Sequence, residues 1–421
     1  MNSFTLHIPT RIFFGSDQLP SFAGATRRLG QHAFVVTGGG SVQRLGYLDV
    51  VSKALADVGL KVSHFSGIEP NPDAATINRA AAQMRAAKAD FVVALGGGSV
   101  IDASKAIAAI VHAGEDDIWP FVHSEPRANQ LKGALPVAVI PTTAATASEV
   151  TPYAVISNRA VKGKANLTAE FLKPRIAWLN PAFTVGLSAT ITSDGAADIL
   201  SHVFENYLLG GNGSPLADRH AEGVIATVLE NLPRAHANPA DLAVRGTLLW
   251  ASTLALGGLE VVGRRASQYP LHAMEHGLSA YKPDLAHGRG LATLHPAYFH
   301  WLLESNRAVD RIAQLGARLF GLAGNESARA IGFIERYEQW LAANGLWQSL
   351  SELGFTDAEL DQVADYVARV YGDGKQLEAL GAMPRSAIAA IFEATVRQSK
   401  LTPPTSRGNG LGSPVSTGAR G

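Results

Sequence analysis

Five side chains of types that bind metal ions stand in two short segments of the carboxyl-terminal half. Asp198 and His202 are four residues apart, and His272, His276 and His287 fall within 16 residues. Because residues four apart share one face of a helix, each segment can direct two ligands at one centre. Imidazole and carboxylate ligands without thiolate suit Zn²⁺ or Fe²⁺. The pattern predicts a metal centre that polarises a bound oxygen atom.

The same residues admit other interpretations. The string His272-Ala-Met-Glu275-His276 matches the H-x-x-E-H signature of one class of zinc peptidases, in which Glu275 would be the base. Each histidine taken alone is also compatible with an ordinary core or surface position. The choice depends on what the rest of the chain supplies.

Two glycine-rich turns stand far upstream, each after a strand-like segment. Residues 33–37 run into Gly38-Gly39-Gly40-Ser41, and residues 91–95 run into Gly96-Gly97-Gly98-Ser99. A helical pattern follows each turn. Strand, glycine turn and helix bring bare backbone N–H groups and a helix N-terminus to a phosphate. Neither turn is the usual G-x-G-x-x-G fingerprint, yet two of them together favour a nucleotide.

A third loop adds hydroxyl groups. Residues 136–140 are strand-like and lead into a loop with Thr142, Thr143, Thr146 and Ser148. These small side chains can line a diphosphate or a nicotinamide, and they are equally compatible with a cap on the next element.

Taken together, these residues make the chain resemble the iron-containing (group III) alcohol dehydrogenases. Within that family it is most similar to the NADPH-dependent butanol dehydrogenase and aldehyde reductase branch. The similarity covers about residues 4–400 and rests on Glu69-Pro-Asn-Pro72, residues 94–105, 141–149, 198–205 and 270–281, and His287-Gly288.

The resemblance implies a role for each metal-binding side chain. The ligands would be Asp198, His202, His272 and His287. His276 corresponds to a neighbour of the metal near the nicotinamide, and it is our candidate catalytic residue because an imidazole there can relay a proton.

The resemblance also implies the cofactor-binding residues. They are Gly97, Gly98 and Ser99 at the pyrophosphate, Asp102, Thr142, Thr143 and Ser148 beside the nicotinamide half, and Lys164 at the ribose.

The first glycine turn bears on the choice of cofactor. Gly39 occupies the place where NAD-preferring relatives carry an aspartate, and Gly38, Gly40 and Ser41 offer only hydrogen-bond donors beside it. A carboxylate at such a site accepts from the ribose 2′-hydroxyl and repels a 2′-phosphate. We therefore expect NADP(H), with Arg44 adding positive charge.

The chain departs from the family pattern in two places. Ala145 and Ala147 stand where glycines are common, which makes close backbone approach to a cofactor less easy. The segment between His276 and His287 is one residue longer than the family pattern, with the extra residue near Pro283. Such an insertion can displace His287.

Composition excludes several classes of protein. The formal net charge is zero, which argues against nucleic acid or an anionic membrane as the partner. No apolar run approaches the roughly 18 residues that span a bilayer, and residues 1–9 alternate like a strand rather than a signal peptide. The absence of Cys excludes disulfides and thiolate clusters. We expect a cytoplasmic homodimer that acts on a small alcohol or aldehyde.

The sequence pattern changes near residue 185. Before it, β-branched strands alternate with alanine-rich helical stretches, which is typical of a parallel sheet covered on both faces. We predict a Rossmann-like α/β nucleotide-binding domain over residues 1–185, an all-α metal-binding catalytic domain over 186–401 and a disordered tail over 402–421. The resemblance implies the same order, with a dehydroquinate synthase-like architecture and catalysis in the cleft between the domains.

The predicted reaction is hydride transfer between NADPH and a carbonyl group polarised by the divalent metal, Fe²⁺ or Zn²⁺. Two alternatives remain open. A zinc peptidase would leave the glycine turns, Asp198 and His202 without a role. A non-redox metal-dependent lyase of the same superfamily, or a catalytically silent nucleotide-binding protein, would use them differently.

Overall fold

The computed structural model describes residues 2–398, and the tail that we predict to be disordered lies outside the described residues. Within the described part, no helix combines the length and the apolar character needed to cross a membrane. Residues 2–10 form no strand, so the strand predicted from their alternation is wrong. The first strand begins at Arg11.

The strands, in chain order, are β1 (Arg11–Phe14), β2 (His32–Gly38), β3 (Lys61–Ile68), β4 (Phe91–Gly96), β5 (Val137–Pro141), β6 (Tyr153–Asn158), β7 (Gly163–Thr168), β8 (Ile176–Leu179), β9 (Gln376–Glu378) and β10 (Ala382–Pro384). The helices are α1 (Leu19–Thr26), α2 (Ser41–Arg44), α3 (Tyr47–Asp57), α4 (Ala74–Ala87), α5 (Gly98–Ala113), α6 (Ala189–Leu209), α7 (Pro215–Ala237), α8 (Leu242–Ala255), α9 (Pro270–Tyr281), α10 (His287–Glu304), α11 (Val309–Phe320), α12 (Glu326–Ala343), α13 (Asp357–Val370) and α14 (Arg385–Val396).

Six strands form one parallel sheet in the order β1-β8-β5-β4-β2-β3. Both faces are covered, because neighbouring side chains on β2 enter different cores. Val36 packs with Ile77 of α4 on one face, whereas Val35 packs with Phe22 of α1 on the other. Burial on both faces explains why these strands are continuous apolar runs rather than alternating ones.

The loops with candidate binding residues leave this sheet at one edge. In the register of the sheet, Thr37 pairs with Leu95 and Gly96 pairs with Pro141. The carboxyl ends of β2, β4 and β5 are therefore neighbours, which is where open α/β sheets bind ligands. The two glycine turns and the hydroxyl-rich loop start from adjacent points.

The second half of the chain is helical, apart from the antiparallel ribbon β9–β10. Its core is one cluster built on α6, α9, α10 and the helices around them. The apolar helical pattern of residues 240–259 predicts a helix over that range, whereas α8 covers only Leu242–Ala255. The predicted order of a parallel-sheet domain and then a helical domain is confirmed.

The change from sheet to helices falls between β8 and α6, and we propose the domain boundary at residues 185/186 within it. The two parts contact each other closely. A Cβ on Gly195 of α6 would lie 2.2 Å from the carbonyl oxygen of Ala144, in the hydroxyl-rich loop. Only glycine permits α6 to approach the nucleotide edge of the sheet at this point.

Candidate active site

Asp198 and His202 lie one turn apart on α6, with Asp198 2% and His202 6% exposed. Ser188 caps this helix by accepting from the N–H of Ile191. The Nε2 atom of His202 is 3.6 Å from Oδ1 of Asp198. The four-residue spacing thus brings the two side chains together, as helical geometry requires.

His272 enters the site from the first turn of α9 and is oriented by Glu205 of α6. The Glu205 carboxylate accepts from Nδ1 of His272 and from the backbone N–H groups of Leu271 and His272. These N–H groups belong to the helix start and have no partner inside the helix. With Nδ1 held by Glu205, Nε2 of His272 faces Asp198 Oδ1 at 3.9 Å.

His287 is the first residue of α10, and its Nε2 atom is 3.6 Å from Asp198 Oδ1. Its Nδ1 atom is hydrogen-bonded to Glu275 Oε2. The glycines that follow make this position possible, because a Cβ on Gly288 would lie 1.8 Å from the Asp194 carbonyl oxygen. The extra residue predicted in the loop before His287 does not remove His287 from the cluster.

The four side chains fit a divalent metal ion. Three imidazole Nε2 atoms surround Asp198 Oδ1 at 3.6 to 3.9 Å. Metal bonds of about 2.0–2.2 Å in a tetrahedral site put its ligand atoms roughly 3.4 Å apart. Asp198 Oδ1 and His272 Nε2 are buried and have no hydrogen-bond partner within residues 2–398. Two orphaned buried atoms that face each other are what a missing ion would leave.

Electrostatics favours ligation by Asp198 and His202. Burial would raise the pKa of Asp198, but His202, His287 and His272 together lower it, so the carboxylate is ionised. Burial, with a smaller effect of His272 and His287, lowers the pKa of His202 to about 3 and keeps its imidazole neutral. Ionised carboxylate and neutral imidazole are the forms that bind metals.

His276 lies beside this cluster, with its ring centroid 5.3 Å from that of His287. Its Nδ1 atom is 3.0 Å from the Tyr371 hydroxyl, which donates to the backbone carbonyl of Lys164 at 2.7 Å. The single hydroxyl hydrogen is thus committed, so Nδ1 of His276 must donate and Nε2 is the acceptor. Burial, and next the charge of Lys164, lower the pKa of His276 well below its usual value.

The first glycine turn is open to solvent at its tip. Gly40 has φ 108°, which favours glycine, whereas a Cβ on Gly39 would meet nothing within 4 Å. A Cβ on Gly40 would lie 3.4 Å from Nη1 of Arg44. The turn from Gly38 to Ser41 therefore has a guanidinium group beside it.

The second glycine turn packs against the hydroxyl-rich loop. A Cβ would lie 3.0 Å from Thr143 Oγ1 at Gly97, and 2.4 Å from Thr146 Cγ2 at Gly98. The N–H of Thr142 donates to the Gly96 carbonyl. Thr142 and Thr143 therefore contact the turn next to the start of α5.

Asp102 and Ser148 belong to a buried network whose third member, Lys105, was not among the predicted site residues. Ser148 Oγ donates to Asp102 Oδ1 at 2.5 Å and accepts from Lys105 Nζ at 2.8 Å. Lys105 is fully buried and also donates to the carbonyls of Thr151 and Tyr153. Burial lowers the pKa of Lys105 to about 8. The only feature of the sequence that indicates this role is that Lys105 follows Asp102 by three residues, which puts both on one face of α5.

Lys164 lies on β7, with its ammonium group surrounded by protein acceptors. Nζ donates to Ser279 Oγ at 2.6 Å and to Asn71 Oδ1 at 2.9 Å, and it is 3.4 Å from Glu275 Oε2. A role at the cofactor ribose stays a prediction, since it requires one of these contacts to open.

One cavity of about 360 Å³ joins the metal-binding cluster to the nucleotide edge. Gly38 to Ser41, Gly97, Thr142 and Thr143 do not line it. The predicted residues that line it are Gly98, Ser99, Asp102, Ser148, Lys164, Asp198, His202, His272, His276 and His287.

Comparisons with known proteins agree with this architecture. Residues 9–181 match the family model for iron-containing alcohol dehydrogenase, and residues 192–396 match the C-terminal model of the Fe-containing alcohol dehydrogenase family. The chain therefore belongs to the iron-containing alcohol dehydrogenase family. Membership implies a divalent metal ion and a nicotinamide cofactor.

Individual relatives are similar over most of their length. NADH-dependent butanol dehydrogenase A of Clostridium acetobutylicum is 33% identical, over 88% of this chain and 94% of the relative. NADPH-dependent aldehyde reductase YqhD of Escherichia coli is also 33% identical, over 86% and 91%. The solved structure of NADH-dependent butanol dehydrogenase A from Thermotoga maritima has a TM-score of 0.87 at 30% identity, covering 94% of this chain and 99% of that one.

The peptidase interpretation of the H-x-x-E-H string is not supported. Glu275 is 0% exposed and is held between His287 and Lys164, so it does not face the cavity as a base for water would. The string instead supplies one member of the metal-binding cluster and two of its neighbours.

Proposed function

We propose that the chain is a metal-dependent, NADP(H)-linked alcohol dehydrogenase that acts as an aldehyde reductase. The observation that carries the proposal is the shared cavity. Its lining includes His272, His276 and the first residues of α5. Metal, proton-transfer group and cofactor can therefore meet at one substrate.

Asp198, His202, His272 and His287 would hold the metal ion. When bound, the ion supplies a Lewis acid for a carbonyl or hydroxyl oxygen, and NADPH supplies the hydride. Neighbouring carboxylates orient two of the metal ligands. Glu205 and Glu275 fix the rings of His272 and His287 through Nδ1, so that each Nε2 points at Asp198.

His276 would handle the proton. Its neutral form presents Nε2 as an acceptor, so in the oxidising direction it takes the proton of the alcohol hydroxyl. In the reducing direction Nε2 first takes a proton from solvent, and the resulting imidazolium passes that proton to the product oxygen and returns to its neutral form. Tyr371 keeps Nδ1 as the donor throughout, and this fixes the tautomer.

The preference for NADP(H) is supported by the first glycine turn. Related proteins are named for either cofactor, so family membership does not decide it. The exposed Gly39 offers no carboxylate, and Arg44 lies next to Gly40. Backbone donors with a guanidinium group suit a 2′-phosphate.

We also propose that the protein is a homodimer and that it is located in the cytoplasm. Phe4, Leu6 and Ile8 are 51%, 42% and 45% exposed, on the extended segment before the edge strand β1. An apolar segment beside an open sheet edge is suited to burial in an interface.

The experiment that tests the proposed function is an assay of NADPH consumption with a panel of aldehydes, before and after metal removal by a chelator. We expect turnover that is lost with the metal and restored by Fe²⁺ or Zn²⁺. Turnover unaffected by complete metal removal would contradict the proposal. Absence of NADPH consumption with every aldehyde would favour the lyase or the silent nucleotide-binding protein.

A further inference from the structure

The metal-binding cluster is connected to the sheet domain by one chain of buried polar contacts. Asn71 lies in the loop between β3 and α4, Lys164 lies on β7, and Glu275 lies on α9. Asn71, Lys164 and Glu275 are 8%, 2% and 0% exposed, respectively. The last contact in this series is made with Nδ1 of the metal ligand His287.

Asn71 holds the longer loop directly. Its Nδ2 atom donates to the carbonyl oxygens of Pro283 at 2.8 Å and Leu285 at 3.0 Å. Both belong to the loop between α9 and α10, immediately before His287 at the start of α10. The extra residue that we predict near Pro283 would thus lie where the amide of Asn71 binds the backbone.

Lys164 connects Asn71 to Glu275. Asn71 Oδ1 accepts from Lys164 Nζ at 2.9 Å, and Nζ is 3.4 Å from Glu275 Oε2, the atom that also binds His287. The Glu275 side chain also packs closely on α10, because a Cβ on Gly290 would lie 2.8 Å from Glu275 Cγ. The Glu275 carboxylate is therefore fixed on both sides.

We infer that Asn71, Lys164 and Glu275 are positioning residues for the metal ligand His287, so that the nucleotide-binding domain completes the metal site of the helical domain. The inference rests on the proposed metal site. It explains how His287, which directly follows this loop, is held 3.6 Å from Asp198 Oδ1. Partners that orient ligands in this way typically change metal affinity by about 10–100-fold when removed.

The backbone of Asn71 dictates the choice of variant. Its φ is 51°, so alanine would add strain, whereas glycine accepts this conformation. Asn71→Gly removes the whole side chain. Asn71→Asp keeps the shape and the acceptor for Lys164 but replaces the two donors to the loop. The matched control is Asn306→Gly, because Asn306 has φ 54° and is exposed, outside the site.

The experiment compares Zn²⁺ affinity by chelator competition, together with the visible spectrum of the Co²⁺-loaded protein. We expect both Asn71 variants to bind Zn²⁺ about tenfold more weakly or worse and to show altered Co²⁺ bands. Glu275→Gln should do the same. Asn306→Gly should match the wild type, and melting of the metal-free Asn71→Asp protein shows that it is folded.

Two outcomes are distinguishable failures. If the wild type binds metal and reduces aldehydes while both Asn71 variants keep wild-type affinity and spectrum, the positioning role is wrong and the proposed function stands. If the wild type itself binds no divalent metal, the proposed metal site and the positioning role are both overturned.

Discussion

The Tyr371 hydroxyl accepts a hydrogen bond from Nδ1 of His276, because its own hydrogen is donated to the backbone carbonyl of Lys164. A residue on the segment after α13 thereby determines which nitrogen of a cavity-lining imidazole is free. Nε2 of His276 is left as a proton acceptor beside the metal-binding cluster.

Removal of this hydroxyl should slow proton transfer without removing the metal. In Tyr371→Phe, Nδ1 of His276 loses its acceptor and the tautomer is no longer fixed. We expect kcat to fall about tenfold, or about 1.4 kcal/mol, with metal content unchanged. Tyr366→Phe is the control, since Tyr366 also donates to the Lys164 carbonyl but has no contact with His276. If both substitutions lowered kcat equally, the loss would come from packing around Lys164 and not from the hydrogen bond to His276.

Glu205 should determine how tightly His272 binds metal. Glu205→Gln weakens the acceptor for Nδ1 of His272, and we expect metal affinity to fall by about 10–100-fold. The control is Glu338→Gln, which changes a surface Glu–His pair with a 3.0 Å contact to His300. Chelator competition on both variants measures the effect. Unchanged affinity in Glu205→Gln would contradict this role.

Metal binding should release a proton. Burial lowers the pKa of His272, but Glu205 and Asp198 outweigh burial and raise it to about 9 in the metal-free protein. The protonated form therefore contributes stability that is complete below the ordinary value of 6.5 and is lost as pH rises through about 9. The metal must replace this proton on Nε2, so affinity should rise with pH up to that value and then level off.

Calorimetry in buffers of different ionisation enthalpy measures this release. Near neutral pH we expect about one proton per metal ion bound. Binding without proton release, at an affinity that does not change with pH, would show that His272 is neutral before the metal binds.

Cofactor preference should depend on the tip of the first glycine turn. We expect NADPH to exceed NADH by at least about tenfold in kcat/KM, which corresponds to about 1.4 kcal/mol. Gly39→Asp should reduce or reverse that ratio, because its carboxylate would repel the 2′-phosphate. The open space around Gly39 means that the new side chain causes no clash. An unchanged ratio would place the 2′-phosphate elsewhere.

Local spacing predicted much of the fold and of the candidate site. The i,i+4 pair Asp198 and His202 and the glycine turns after β2 and β4 depend on helix and strand geometry, which a short window of sequence contains. Glu205 and Asn71 were missed because their partners are 67 and 212 residues away in the chain. Contacts of that range depend on how the helical domain packs on the sheet.

The departure in the hydroxyl-rich loop also has a structural outcome. Ala147 adopts φ 52°, a left-handed conformation that a glycine would adopt without strain. The loop thus keeps a glycine-like backbone with an alanine in it. The sequence shows alanine at position 147, but it could not show that Ala147 would keep the left-handed backbone conformation.

The central claim is that the His₃Asp cluster holds the ion on which turnover depends. The most direct measurement is the metal content per chain, determined with turnover and NADPH binding on the same samples of wild type and His202→Ala. We predict about one divalent ion per wild-type chain, and loss of both the ion and most of the turnover in His202→Ala, with NADPH still bound. A His202→Ala protein that keeps near-native metal content and rate would contradict the assignment.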